Sequence, residues 1–138
     1  MRVITFGTFD VFHIGHLRIL ERARAFGDTL VVGVSTDALN HAKKGRYPVY
    51  TQDERCEIIR ALRCVDEVFL EESLDLKRHY LRQYRADVLV MGDDGRAAIL
   101  ATRREPLTLW PRGAGSASRR KNSSVKITLF RIAHSAQP

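Results

Sequence analysis

Cysteine is scarce in this chain of 138 residues, where only Cys56 and Cys64 are present. Two cysteines cannot build a disulfide framework or a cysteine-rich zinc module, the devices that support many small secreted domains. Both lie in a segment with helical pattern, so we expect core residues and not reactive thiols. The scarcity favours a reducing compartment, and we expect a cytoplasmic protein.

Long hydrophobic runs are also absent, because charged residues interrupt every apolar stretch. A membrane-spanning helix needs about 20 apolar residues in succession, and the N-terminus lacks the pattern of a signal peptide. We therefore expect neither a membrane span nor export. The chain is 44% hydrophobic and 28% charged, which is typical of one globular domain with a single core.

Acidic residues are almost missing from the last third of the chain. Residues 95–138 hold nine Lys and Arg against one acid, Glu105, whereas residues 1–94 hold 14 Lys and Arg against 15 Asp and Glu. The net charge of +7 is therefore located in the tail. A basic, serine-rich stretch such as 116–124 is typical of disordered segments, and nucleic acid is the less favoured partner for it.

Short β-branched runs alternate with longer amphipathic runs, which is the pattern of an α/β domain. We predict strands at 3–6, 29–34, 68–70 and 88–91. We predict a first helix at 15–26, ended by Gly27, and a second helix that begins after a capping box at Thr51. A third helix is predicted at 74–84, and a polar loop around 43–48. Strands separated by helices must be largely parallel, so we expect a single Rossmann-like, doubly wound parallel sheet.

Polar motifs follow three of these strands. Gly7-Thr8-Phe9-Asp10 follows the first strand, Ser35-Thr36-Asp37 the second, and Gly92-Asp93-Asp94 the fourth. In an open parallel sheet, ligands bind beyond the carboxyl ends of the strands, where the strand order reverses. We therefore expect the three loops to form one site.

The segment between the first strand and its helix is suited to an anion. Free N–H groups and the positive end of the helix dipole attract phosphate, and Gly7 lets the chain pass close to it. His13 and His16 lie at the helix start, where both can stabilise the charge of a phosphoryl group under attack. Gly15 between them leaves room for a base or ribose.

The histidine pair has two other interpretations. His13 and His16 could bind a metal, or could be ordinary polar residues at a helix start. A zinc site needs further ligands at matching spacing, and only Asp10 is near. The strand and glycine context favours the catalytic interpretation.

Thr8-Phe9-Asp10 followed by His13-x-Gly15-His16 resembles the HxGH signature of the nucleotidylyltransferase superfamily, and is close to the glycerol-3-phosphate cytidylyltransferases. The resemblance covers residues 1–94. It implies transfer of CMP from CTP to an alcohol phosphate, chiefly sn-glycerol 3-phosphate, giving CDP-glycerol and pyrophosphate. It also implies Mg²⁺ as cofactor and a homodimer.

The resemblance assigns roles to individual residues. Thr8 and the backbone of Phe9 contact the nucleotide phosphates, and His13 and His16 contact the phosphate in the transition state. Lys43 or Lys44 matches a catalytic lysine that contacts the triphosphate. Arg46, which is nearby, is expected to bind the substrate. These three residues could equally form an ordinary solvated loop.

Arg63 matches a phosphate-binding arginine that reaches the site from a helix end, although a salt bridge with Asp66 or Glu67 is an alternative. Carboxylates are the remaining candidates for contacts to ribose, metal or substrate hydroxyl groups. We expect Asp10 and Asp94 first, then Asp37 and Asp93, with Gly92 beside the nucleotide. Capping and turn roles explain these aspartates equally well.

The resemblance weakens after Asp94. Gly95 replaces a family tryptophan, and Pro111-Arg112 is retained as a phosphate-binding pair, but the following Ser-Thr cluster is missing. We place a nucleotidylyltransferase domain at 1–112 and an atypical basic tail at 113–138. Two explanations of the tail stay open: a shift of reading frame within the gene, or a naturally divergent, disordered segment with its own partner.

The sequence also fits two functions other than cytidylyl transfer. The first is adenylyl transfer to a sugar phosphate or flavin, which uses the same histidine motif with another base. The second is a catalytically impaired protein that binds nucleotide, or nucleic acid through its basic tail.

Overall fold

The computed structural model describes residues 1–92, 107–109 and 127–132. Within these ranges six strands form one sheet in the order β3-β2-β1-β4-β6-β5. The strands are β1 (Arg2–Gly7), β2 (Thr29–Ser35), β3 (Glu67–Glu71), β4 (Val88–Gly92), β5 (Leu107–Leu109) and β6 (Ile127–Ile132). The helices are α1 (Ile14–Arg24), α2 (Asp37–Lys44), α3 (Gln52–Arg60) and α4 (Lys77–Gln83), with a 3₁₀ turn at Leu74–Leu76 before α4.

The first four strands are parallel, because a helix connects each of them to the next. β2 pairs with both β1 and β3, and β4 pairs with the other side of β1. The direction of winding therefore reverses between β1 and β4, which is where an open sheet forms its ligand crevice. The predicted Rossmann-like, doubly wound fold class is confirmed, and β6 and β5 extend the sheet in antiparallel pairing.

Helices cover both faces of the sheet, so the central strands are buried on both sides and contain almost only apolar residues. On one face, Val32 and Val34 of β2 pack with Leu20 of α1 and Ile59 of α3. Cys56 is buried in the same cluster, and Cys64 packs against it half-buried, as expected of core thiols. On the other face, Ile4, Val31 and Leu89 pack with Tyr80 and Leu81 of α4.

Helix α1 ends earlier than predicted. It closes at Arg24 with Ala25 as C-cap in right-handed helical conformation, and Gly27 is not left-handed. A Cβ atom at Gly27 would lie 2.4 Å from the carbonyl oxygen of Met1. Gly27 is therefore needed for close packing against the start of β1, and the prediction that it terminates the helix is wrong.

The segment predicted as a polar loop begins inside a helix. Thr36 caps α2 by accepting a hydrogen bond from the N–H of Leu39, and Gly45 ends it in left-handed conformation with a φ of 69°. Lys43 and Lys44 thus belong to the last turn of α2 and not to a loop. The helix predicted at 74–84 is divided into the 3₁₀ turn and α4.

The segment predicted as a basic tail contributes a strand to the sheet. β6 pairs with β4 over five residue pairs, and Phe130 is buried in the core cluster around Leu89. Residues 127–132 therefore belong to the sheet. No helix in the described ranges is long and apolar enough to cross a membrane.

Candidate functional site

A cavity of about 550 Å³ opens at the carboxyl ends of β1 and β4. Its walls come from the two strand ends, from α1 and α2, and from the segment after α2. The lining residues are Thr5, Phe6, Gly7, Thr8, Phe9, Asp10, His16, Ile19, Asn40, Lys44, Arg46, Tyr47, Pro48, Val49 and Gly92. Eight predicted site residues, from five separate segments, thus meet at the crevice that the strand order creates: Gly7, Thr8, Phe9, Asp10, His16, Lys44, Arg46 and Gly92.

The two histidines form a reciprocal cap at the start of α1. Nδ1 of His13 accepts a hydrogen bond from the N–H of Gly15 at 3.0 Å, and Nδ1 of His16 accepts one from the N–H of His13 at 3.3 Å. The rings stack with their centroids 4.1 Å apart. Because each Nδ1 is an acceptor, the proton of each neutral ring lies on Nε2. The cap therefore fixes both tautomers and leaves each histidine one N–H donor for a ligand.

Gly15 and Gly7 make room for aromatic side chains of neighbouring residues. A Cβ atom at Gly15 would lie 2.6 Å from Cε1 of His13, and one at Gly7 would lie 2.9 Å from the ring of Phe9. Gly7 also lines the cavity, and the expectations that Gly15 leaves room for a base and that Gly7 admits a phosphate stay predictions. Both glycines make space for neighbouring side chains that shape the site.

Asp10 anchors the segment after α2. Its two carboxylate oxygens accept hydrogen bonds from the N–H groups of Val49 and Tyr50, at 2.8 and 2.9 Å. Partial burial opposes ionisation, but these N–H donors prevail and lower the pKa of the carboxyl below its ordinary value. These bonds join segments about 40 residues apart and are neither a helix cap nor a turn, because Thr51 is the N-cap of α3. The residues on either side, Phe9 and Val11, have φ values of 52° and 46°, a strained left-handed conformation.

Arg55 is a central residue that the sequence analysis missed. Its guanidinium is fully buried, although it lies on amphipathic helix α3. It donates to the carbonyl oxygens of Thr8, Ser35 and Tyr50 and pairs with Asp37 at 2.7 Å. One side chain therefore joins the ends of β1 and β2 and the segment after α2.

Both carboxylate oxygens of Asp37 take part in this network. Its Oδ1 pairs with Arg55, and its Oδ2 accepts a hydrogen bond from the N–H of Gln52. Asp37 thus holds α3 in place and is not among the residues that line the cavity, and its expected substrate contact stays a prediction. No described group of three or more His, Cys, Asp and Glu could hold a metal ion.

Each carboxylate oxygen of Asp10 and Asp37 accepts one hydrogen bond, which leaves each of them a further lone pair. Asp93, Asp94 and Arg112 lie outside the described residues. Their predicted roles stay predictions.

The cations at the cavity are Lys44 and Arg46, while Lys43 is exposed beside them. Arg63 is not brought to the cavity. It is exposed in the connection that leads into β3, and the carboxylates of Asp66 and Glu67 pair with Arg24 and Arg2 instead. Connections into parallel strands lie at the edge of the sheet opposite the crevice. Arg63 therefore lies at the opposite end of the strands from the cavity of its own chain.

A buried ion pair lies at the end of β3, next to the rim. Nζ of Lys77 is 2.6 Å from Glu71, whose second oxygen accepts a hydrogen bond from Ser35 at 3.1 Å. The same ammonium lies 4.0 Å from the centre of the Phe6 ring, and Phe6 lines the cavity. Burial lowers the pKa of Lys77 despite the Glu71 carboxylate. The sequence analysis missed this pair, because both residues occur in a charged stretch that is typical of solvated surface.

His16 gives the site a pH dependence. Its pKa is lowered from 6.5 by burial and by His13, against a smaller opposing effect of Asp10. The folded chain therefore binds fewer protons here than the unfolded chain, and stability is lost as the pH falls through and below 6.5. Protonation of Nδ1 would also remove the acceptor that caps α1.

We expect the free energy of unfolding, measured in urea at a series of pH values, to decline in this range and to decline less in His16→Gln. An equal decline in both proteins would contradict this cause.

Comparisons with known proteins agree with this geometry. Residues 4–106 match the family model described as cytidylyltransferase-like. The chain is 43% identical over 93 residues to a glycerol-3-phosphate cytidylyltransferase of Bacillus subtilis (strain 168), covering 67% of this chain and 71% of that protein. It is 36% identical over 105 residues to an FAD synthase of Thermococcus sibiricus, covering 76% and 71%.

A solved structure has a similar fold. It is the lipopolysaccharide core biosynthesis protein of Thermoplasma volcanium, with a TM-score of 0.59 and 29% identity over 64% of this chain and 71% of that one. The family model spans most of the chain, and the named relatives are nucleotidyltransferases. The chain therefore belongs to the cytidylyltransferase-like family.

Proposed function

We propose that this protein transfers CMP from CTP to a small alcohol phosphate, sn-glycerol 3-phosphate, giving CDP-glycerol and pyrophosphate. The observation that carries the proposal is the histidine cap. It leaves one Nε2–H donor on each ring at the start of α1. His16, Lys44 and Arg46 line one cavity, and His13 is exposed beside His16 and is not among the lining residues. The similarity to glycerol-3-phosphate cytidylyltransferases supports the choice of CTP and of the acceptor.

The chemistry needs no protein base, because the acceptor phosphate is already an anion. Its oxygen forms a bond to the α-phosphorus of CTP while the bond from that phosphorus to the bridging oxygen breaks. The bonding electron pair leaves with pyrophosphate. Charge grows on the oxygens of the α-phosphate and on the leaving group, where fixed N–H donors and cations are most effective.

The residues of the cavity, together with His13 stacked on His16, divide this work. The Nε2–H groups of His13 and His16 are held in direction by the capping bonds, so they need no reorganisation when charge develops. Lys44 and Arg46 are exposed cations that neutralise the triphosphate. Mg²⁺, expected as cofactor, would enter with the nucleotide phosphates, since no group of three or more His, Cys, Asp and Glu in the described ranges could hold it.

Adenylyl transfer to a flavin phosphate is the second candidate. Its support is the identity of 36% to an FAD synthase over a longer stretch of this chain. The histidine cap and the cations would serve both reactions equally, because both attack an α-phosphorus. The base and the acceptor decide between them.

The test is pyrophosphate release by the purified chain with Mg²⁺, using CTP or ATP in combination with sn-glycerol 3-phosphate or flavin mononucleotide. We expect turnover with CTP and glycerol phosphate, and its loss when EDTA replaces Mg²⁺. Turnover with ATP and flavin mononucleotide alone would replace the first candidate by the second. Failure of every pair, in a folded protein, would overturn both.

A homodimer remains part of the proposal. Light scattering of the same preparation measures the mass in solution.

A further inference from the structure

Arg46 of the cavity lies on an exposed turn between two fixed points. Before it, Gly45 ends α2 in left-handed conformation with a φ of 69°. After it, the N–H of Val49 donates a hydrogen bond to the carboxylate of Asp10 at 2.8 Å. Residues 41–47 are all exposed. The hydrophobic core therefore does not hold this turn.

Among the residues that the structure describes, Arg46 forms no ion pair that would fix the direction of its side chain. A long, flexible cation loses conformational entropy when a ligand immobilises it, and this loss weakens binding. A contact that restricts the turn before the ligand arrives makes the loss smaller. The rigidity of the turn is therefore one determinant of how strongly Arg46 binds an anion.

The rings of His41 and Tyr47 stack across this turn. Their centroids are 4.4 Å apart, and the ring planes make an angle of 22°. His41 belongs to α2, and its carbonyl oxygen accepts a hydrogen bond from the N–H of Gly45 at 2.8 Å. Tyr47 comes directly after Arg46 and lines the cavity, whereas His41 is not among the lining residues. The stack therefore ties the residue that follows Arg46 to the helix that precedes it.

The backbone on the two sides of Arg46 differs in stiffness. Gly45 has no Cβ atom, so its φ and ψ angles are the least restricted in this segment. Pro48 restricts the backbone of Tyr47 to extended conformations. Tyr47 and Pro48 thus form a stiff unit that can rotate about Gly45 unless the ring of Tyr47 is held. His41 supplies this contact.

We propose that His41 is a positioning residue for Arg46: by stacking on Tyr47, it holds the turn in the conformation in which Arg46 lines the cavity. The inference rests on the proposed nucleotidyl transfer, in which Arg46 neutralises the triphosphate, and it deepens that function by assigning a role to an exposed histidine outside the cavity. An aromatic stack shifts an equilibrium by about two- to tenfold, which sets the largest effect that the loss of His41 can have on binding.

Two substitutions of His41 test this role. Alanine removes the ring and is the better helix former, so His41→Ala does not weaken α2 itself. His41→Phe keeps a ring that can stack on Tyr47 but has no N–H donor. The probe is inorganic tripolyphosphate, titrated calorimetrically at constant pH and ionic strength. We expect His41→Ala to weaken its binding about fivefold and His41→Phe to stay within about twofold of the unsubstituted chain.

A double-mutant cycle separates positioning from general support of the fold. In the Arg46→Ala background, His41→Ala should weaken tripolyphosphate binding less than about twofold, because the cation that it positions is gone. If His41 only supported the fold, it would weaken binding by the same factor in both backgrounds. His79→Ala is the matched control, since His79 is also an exposed histidine on a helix and its ring lies 6.0 Å from that of Tyr80. It should leave binding unchanged.

Equal weakening by His41→Phe and His41→Ala would overturn the inference, because it would show that the imidazole contacts phosphate itself. Unchanged binding in His41→Ala would also overturn it. Both results leave the proposed function standing, since the unsubstituted chain would still bind tripolyphosphate and turn over CTP. Failure of the unsubstituted chain to bind either tripolyphosphate or CTP would overturn the proposed function, and with it this role of His41, before any variant is measured.

Discussion

Replacing Arg55 by methionine is expected to destabilise the protein by about 3–5 kcal/mol, because three carbonyl oxygens lose their donor and each buried acceptor left unsatisfied costs about 1–3 kcal/mol. Methionine fills most of the space of the arginine stem but supplies no N–H donor. The carbonyl oxygens of Thr8 and Ser35 would lose the donor at 2.9 and 2.7 Å, and the Asp37 carboxylate would lose its cation. Urea unfolding followed by circular dichroism measures the loss.

Arg60→Met is the matched control, because Arg60 lies on the same helix and is exposed. A surface substitution of this kind changes stability by about 0.5 kcal/mol or less. Arg55→Lys keeps the charge without the planar fork, so it should recover only part of the loss. A loss below about 1 kcal/mol for Arg55→Met would show that the guanidinium does not join the three segments as described.

His16→Ala is expected to lower kcat for pyrophosphate release by about 10²–10³-fold, the cost of removing one preorganised donor from a developing negative charge. The bound state of the nucleotide carries less charge at this position than the transition state, so KM should change much less than kcat. The substitution also removes half of the helix cap, at a cost of about 1 kcal/mol in stability. Initial rates therefore have to be measured well below the melting temperature.

His79→Ala provides the comparison for this experiment. His79 is an exposed histidine on α4, which packs on the other face of the sheet from α1. Its removal should leave kcat within about twofold. If His16→Ala and His79→Ala had the same kcat, the assignment of His16 to the reacting phosphate would be wrong.

The strands and most helices follow from local sequence patterns. Thr29–Ser35 is a continuous apolar run because both faces of β2 are covered, and the Thr51 capping box forms at the start of α3 as predicted. Helix α2 was missed because the segment Asp37–Lys44 has few apolar residues. Its buried residue is the polar Asn40. Its ends were visible in the sequence, as a threonine before the helix and a glycine after it.

The site was harder to predict than the fold. Sequence motifs located the histidines and the loop after β1, because these lie at a strand end. The loop after β2, also predicted at the site, does not line the cavity and is joined to β1 through Arg55. The motifs could not locate Arg55, whose partners at Thr8 and Ser35 are 47 and 20 residues away in the chain. An arginine on an amphipathic helix is normally expected to be exposed. Only the packing of three segments against α3 shows that this one is inside.

The same limit applies to Asp10. Its position at a strand end predicts a carboxylate at the site, and that is where it lies. The hydrogen bonds from Val49 and Tyr50 come from a segment about 40 residues later, so the sequence alone could not show that both oxygens are already engaged.

The pairing of β6 with β4 has a consequence for how the chain folds during synthesis. β4 is complete once Gly92 has been made, but the strand that covers its outer side begins 35 residues later, at Ile127. Until those residues leave the ribosome, the backbone N–H and C=O groups on that side of β4 are an open sheet edge beside Leu89 and Met91. Such an edge can recruit strands from other nascent chains. During the interval between the synthesis of these two strands, the nascent chain is therefore exposed to aggregation through this edge.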